Sequence, residues 1–102
     1  IALIEEHQPV IALCGNPAII EKTLSNIVEV KSRGAEVLAL TFRNNQKIVS
    51  VADDLLFIPK IDALFSAVVE IVPLQLLAYY VARENGCDID KPKNLAKSVT
   101  VE

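Results

Sequence analysis

Apolar residues along the chain fall into short blocks separated by polar turns, and the blocks change period as the chain proceeds. Val10 to Leu13 (VIAL) is a continuous apolar run, the pattern of a strand buried on both faces. Cys14-Gly15-Asn16-Pro17 then supplies a turn, with Asn16 placed as a helix N-cap and Pro17 suited to the first helical position. Ile20, Leu24, Ile27 and Lys31 recur at helical spacing, while Glu21, Lys22, Glu29 and Arg33 take the wetter side. This spacing predicts a helix over 17–33, stopped by Gly34, because glycine enters the left-handed conformation after a helix without strain. Glu36 to Phe42 (EVLALTF) reads as a second strand. Strand, helix and strand in so short a length form a βαβ unit with parallel strands and a right-handed crossover.

Arg43 to Lys47 (RNNQK) reads as a polar loop, and Leu55 to Ile58 (LLFI), ended by Pro59, as a third strand. Ile61 to Asn85 is helical, with Asp62, Ser66 and Glu70 forming a polar stripe among apolar neighbours. Pro73 removes a hydrogen bond from a helix interior, so the helix is expected to kink or restart there, and Gly86 to end it. Cys87 to Glu102 has no usable period and contains Pro92, which predicts an irregular tail. The fold class that follows is α/β: a parallel sheet with helices on its faces. Three strands fall short of the five or so that such sheets usually have, so the set looks incomplete.

Composition sharpens that impression. In 102 residues, 52% are hydrophobic and the mean hydropathy is +0.39. A domain of this size has too much surface to hide so much apolar side chain. Either another chain covers part of it or the sequence is a segment of something larger, and the opening Ile1 favours the second. The most apolar stretch, Ile71 to Ala82, is shorter than the roughly 17–25 residues of a membrane crossing, so a buried helix of a soluble protein is expected. Net charge is −3 and the ten basic residues are scattered, which argues against a nucleic-acid footprint. Cys14 and Cys87 form neither a metal-binding spacing nor a disulfide framework, and Cys14 lies in an apolar run as a small hydrophobe. Free thiols without a signal pattern point to the cytoplasm.

Three sets of residues could carry chemistry. Asp53 and Asp54, with Lys60 beyond a strand, have the types of an acidic phosphoryl pocket. Both aspartates precede their strand, however, so a solvated loop is the expected reading, with no metal and no cofactor. His7, the one histidine, lies in a polar connection before a strand and is read as a surface residue. Lys97 stands among Leu95, Ala96, Val99 and Val101, which could bury it and depress its pKa if the tail docks; by position alone it is a solvated charge.

The closing run Asp90-Lys91-Pro92-Lys93-Asn94-Leu95-Ala96-Lys97-Ser98-Val99-Thr100-Val101-Glu102 resembles the end of the glucosamine-6-phosphate synthase family. Val72 to Tyr79 (VPLQLLAY) resembles a helix of the same family, and Asn26-Ile27 with Arg33-Gly34 another. The resemblance covers essentially the whole chain. It implies a partial three-layer sugar-isomerase (SIS) domain over 1–86, the second of two in that family, followed by an active-site tail over 87–102. It implies an enzyme that moves ammonia from glutamine to fructose 6-phosphate and isomerises the product to glucosamine 6-phosphate. Within it, Lys97 is the catalytic, imine-forming lysine, and Ala96 presents its backbone to the sugar. The family's serine/threonine phosphate loop, its glutaminase cysteine, its catalytic glutamate helix and its K-H-G-P histidine have no counterpart here, and His7 does not replace the last. A chain of this extent is expected to be inactive alone and to form a homodimer or higher oligomer. A non-catalytic sugar-phosphate-binding SIS module and a ketoamine-phosphate deglycase are the alternatives that the same fold allows.

Overall fold

A computed structural model describes residues 1–91 of the chain, and within it three parallel strands lie in the order β1-β2-β3. Strand β1 is Pro9–Cys14, β2 is Glu36–Thr41 and β3 is Asp54–Phe57. Helix α1 (Ile20–Lys31) joins β1 to β2, a four-residue helix α2 (Gln46–Val49) joins β2 to β3, and α3 (Ser66–Glu84) follows. The chain divides into two compact units, one over Ile1–Ile71 and the other from Val72 onward.

In the first unit the register runs from Pro9 opposite Glu36 to Cys14 opposite Thr41, and from Leu38 opposite Asp54 to Thr41 opposite Phe57. Alternation along β1 and β2 puts Ala12, Cys14, Val37 and Ala39 on one face. There they meet Ile20, Ile27 and Val30 of α1 and Ile48 of α2 in a single core. Small residues on the strands let the α1 branches descend close to the sheet. The expectation that β1 is buried on both faces is corrected here. On the second face of β1, Ile11 and Leu13 are 39% and 41% exposed, and Leu56 of β3 is open to a similar degree.

The cap chemistry acts as the sequence predicts. Asn16 accepts a hydrogen bond from the Ala18 amide at 2.9 Å, although the first turn it caps, Pro17–Ile19, is 3-10 and the α-helix proper begins at Ile20. Gly34 follows α1 at φ +90°, and its carbonyl accepts the His7 amide at 2.8 Å. A Cβ on Gly34 would also lie 2.6 Å from Glu6 Cγ and 3.0 Å from Glu6 Cα. Gly34→Ala therefore combines a left-handed backbone penalty of roughly 1–2 kcal/mol with a collision. Urea unfolding should show a loss of at least about 2 kcal/mol, and a loss below about 0.5 kcal/mol would contradict this account.

The helices depart from expectation in three respects. The loop read at 43–47 contains the start of α2, which Ile48, fully buried, pins to the core. Of the two outcomes expected at Pro73, a restart does not occur: α3 runs through it as one helix. Leu74, Gln75, Leu76, Leu77 and Ala78 are strong helix formers, so propagation beyond the proline outweighs one lost bond. Continuity also changes the apolar length. With its preceding 3-10 turn the helix spans Ala63–Glu84, 22 residues that include an 18-residue stretch of mean hydropathy 1.7, which by length and composition is enough to cross a membrane. Nor is it the buried helix expected: among its residues only Ser66 and Glu70 are buried, and Val68, Ile71, Val72, Leu76 and Tyr80 are exposed.

Candidate functional site

Parallel strands deliver all their following loops to one edge of the sheet, the edge where α/β folds gather ligands. Cys14-Gly15-Asn16 leaves β1 there, Phe42 to Asn45 leave β2, and Ile58-Pro59-Lys60 leave β3.

At the β1 exit the Gly15 amide donates to Glu70 Oε1 at 2.7 Å, and Glu70 is only 7% exposed. This contact requires glycine, since a Cβ on Gly15 would lie 2.8 Å from Glu70 Oε1 and 2.9 Å from Ile58 Cδ1. The neighbouring Cys14 is 1% exposed, and burial, reinforced by the Glu70 carboxylate, pushes its thiol up to about 11. A thiolate there would be desolvated and would face a like charge, so Cys14 is a core residue and not a nucleophile.

The β2 exit is held by Asn45, whose Nδ2 donates to Thr41 Oγ1 at 3.0 Å with both side chains buried. The β3 exit extends the ladder through the Ile58 amide, which donates to the Thr41 carbonyl at 2.9 Å. Between these two exits lies a cavity of about 440 Å³ lined by Phe42, Arg43, Asn44, Phe57, Pro59 and Lys60, with Ile58 beneath. The Arg43 guanidinium sits 4.7 Å from the Phe57 ring centroid, and the Lys60 ammonium 5.2 Å from that of Phe42.

Asp53 and Asp54 lie at the opposite edge, where β3 begins. Asp53 is exposed just before the strand, as expected, but its carboxylate is also held. It accepts Lys31 Nζ at 2.6 Å and the Val37 amide at 2.8 Å, and Lys31 Nζ also donates to the Val51 carbonyl at 2.7 Å. The Lys31 hydrogen bond first, and the Val37 amide second, hold the Asp53 carboxyl below the usual carboxylate range. The aspartate thus latches the end of α1 to the start of β3. His7 is exposed at φ 61°, with Nδ1 2.6 Å from Glu36 Oε1, as a surface residue should be.

Lys97 and Ala96, the site residues that the family resemblance implies, lie outside the described residues. Of the residues at the strand exits, Glu70 had a sequence signal, its place in the polar stripe with Asp62 and Ser66. Arg43 and Lys60 had none as a pair, because only β2–β3 pairing brings their loops together.

The fold so described is a parallel α/β unit with its loops converging on a cleft at the strand ends, the class to which sugar-phosphate isomerase domains belong. The chain is similar over all 102 residues to glutamine–fructose-6-phosphate aminotransferase (isomerising) from several bacteria. It is 49% identical to the protein of Thermus thermophilus, 51% to that of Caldanaerobacter subterraneus and 42% to that of Synechocystis. In each case the whole chain is covered, against 17%, 17% and 16% of the relative. It therefore corresponds to one segment of these enzymes and spans only about a sixth of their length. No family model matches the chain.

The two thiols should differ sharply. Iodoacetamide at pH 8 should modify exposed Cys87 and leave Cys14, of which about one in a thousand would be thiolate, intact until the chain is unfolded. The folded state holds the Cys14 proton more tightly than the unfolded chain does. Its contribution to stability is therefore complete below the unfolded value of 9.0 and is lost as pH rises towards about 11. A Cys14→Ala chain should lack that part of the alkaline decline in urea midpoint. Equal native labelling of both cysteines would contradict the assignment.

Proposed function

We propose that the chain forms the C-terminal part of an isomerising glutamine–fructose-6-phosphate aminotransferase, converting fructose 6-phosphate and glutamine to glucosamine 6-phosphate and glutamate in the cytoplasm. The observation that carries this reading is the match to such enzymes across the whole chain, at 42–51% identity. In this reading 1–86 completes the second sugar-isomerase domain, and 87–102 is the active-site tail. Lys97 attacks the ketose carbonyl carbon through its neutral amine, forming an imine with loss of water, and Ala96 offers its backbone to the sugar. The closing Asn94-to-Glu102 motif favours the synthase over a non-catalytic sugar-phosphate-binding module or a ketoamine-phosphate deglycase.

Two uncovered apolar surfaces support a role inside a larger assembly. Ile11, Leu13 and Leu56 leave one face of the sheet open, and Leu64, Phe65 and Val68 stand exposed around the start of α3. Patches of this kind mark contact with more protein. The rest of the polypeptide covers them in the full enzyme, which works as a homodimer or higher oligomer. Protein, not lipid, is the neighbour of α3, since Glu70 lies buried on its inner side and Gln75 and Arg83 interrupt its apolar surface. The net charge of −3 fits the absence of a nucleic-acid partner.

The test is reconstitution. The purified 102-residue chain should give no glucosamine 6-phosphate from fructose 6-phosphate and glutamine. Fused behind the preceding five-sixths of a bacterial relative, in place of that relative's own segment, it should restore turnover. Activity of the isolated chain, or a folded but inactive fusion, would overturn the reading.

A further inference from the structure

Of the eight lysines and arginines among the described residues, four meet a carboxylate. Lys31 pairs with Asp53, Arg33 with Glu29, Lys47 with Glu21 and Arg83 with Glu84. Arg43 and Lys60 behave differently. Among the described residues neither has an ion-pair partner, and each is laid against an aromatic ring on the wall of one cavity of about 440 Å³. The Lys60 side chain lies over the ring of Phe42 and the Arg43 side chain over that of Phe57, so the cations cross between the two loops. This arrangement restrains two flexible side chains without neutralising them. A chain of net charge −3 thus keeps two cations free, among the described residues, at the carboxyl ends of its parallel strands, the edge at which α/β sheets take up ligands.

We propose that this cleft between the exits of β2 and β3 binds the phosphate group of a small phosphate monoester. A phosphate monoester carries close to two negative charges at pH 7, matching two cations. The Arg43 fork suits two of its oxygens, the Lys60 ammonium acts as a point charge, and the Asn44 amide is within the same lining. Ile58 and the edge of Phe57 offer an apolar floor to the organic part, which a free inorganic phosphate does not use. The site is built only from residues at the strand ends of the first unit.

The test uses the 102-residue chain labelled with ¹⁵N and titrated at constant ionic strength with inorganic phosphate and, separately, with phenyl phosphate. Saturable amide shifts centred on Asn44, Ile58 and Lys60 are expected, with phenyl phosphate binding the more tightly of the two. Arg43→Gln and Lys60→Gln, each exposed and each made singly, should weaken binding at least about tenfold, the size of one lost charge-assisted contact. Arg43→Lys should recover part of the loss. The proposal is overturned by an unsaturable response, by shifts centred elsewhere, or by both glutamine variants binding as the parent does.

Discussion

Lys97→Arg in the complete enzyme should reduce glucosamine 6-phosphate formation by roughly 10²–10⁴-fold, the range that a positioned catalytic group contributes. Arginine keeps the positive charge and most of the length, but its guanidinium cannot be deprotonated to attack a carbonyl carbon. A lysine can do so once apolar neighbours lower the cost of its neutral form, and Leu95, Val99 and Val101 are such neighbours in sequence. Glutamine hydrolysis should survive much better, because on the proposed reading the glutaminase chemistry belongs to a part of the enzyme this chain does not include. Borohydride reduction with fructose 6-phosphate bound should leave the sugar on Lys97, located by mass spectrometry of the digested protein. An adduct on a different lysine, or near-parental synthesis by the arginine variant, would return Lys97 to the status of a surface charge.

Glu70→Ala should destabilise the chain while leaving the backbone conformation untouched. The carboxylate oxygen 2.7 Å from the Gly15 amide is its acceptor, and a buried donor left without one costs about 1–3 kcal/mol. Truncation also empties the space beside Gly15 that the Glu70 carboxylate fills. A urea midpoint lowered by that much is expected. Glu70→Gln, which retains an oxygen at the same reach, should lose less. Removing the charge has a second readout, since the Glu70 field helps to raise the Cys14 thiol. In both variants Cys14 should therefore titrate lower than about 11, still held up by burial. An alanine variant as stable as the parent would show that the Gly15 amide finds another partner.

The local part of this protein was legible from its residues. VIAL and EVLALTF around a helical spacing imply parallel strands about a crossover helix, and Asn16 and Gly34 mark the helix ends for stereochemical reasons that hold in any context. Those signals are local, needing only neighbours a few residues away. The closing motif, together with Val72 to Tyr79 and the Asn26-to-Gly34 helix, added a family resemblance, and comparison along the whole chain bore it out. Tertiary structure decided everything that depends on which surfaces meet. The stripe of Asp62, Ser66 and Glu70 is visible in the sequence, but a stripe does not say which way it faces. Here Ser66 and Glu70 turn inward, Glu70 onto the Gly15 amide, and the apolar residues around them are left outside. Asp53 and Asp54 are chemically alike in sequence; only the fold gives Lys31 and the Val37 amide to the first. The helix at Gln46–Val49 exists because Ile48 has a core to enter. Arg43 and Lys60 become one cleft solely through the pairing of β2 with β3, a long-range contact that no periodicity within either loop encodes.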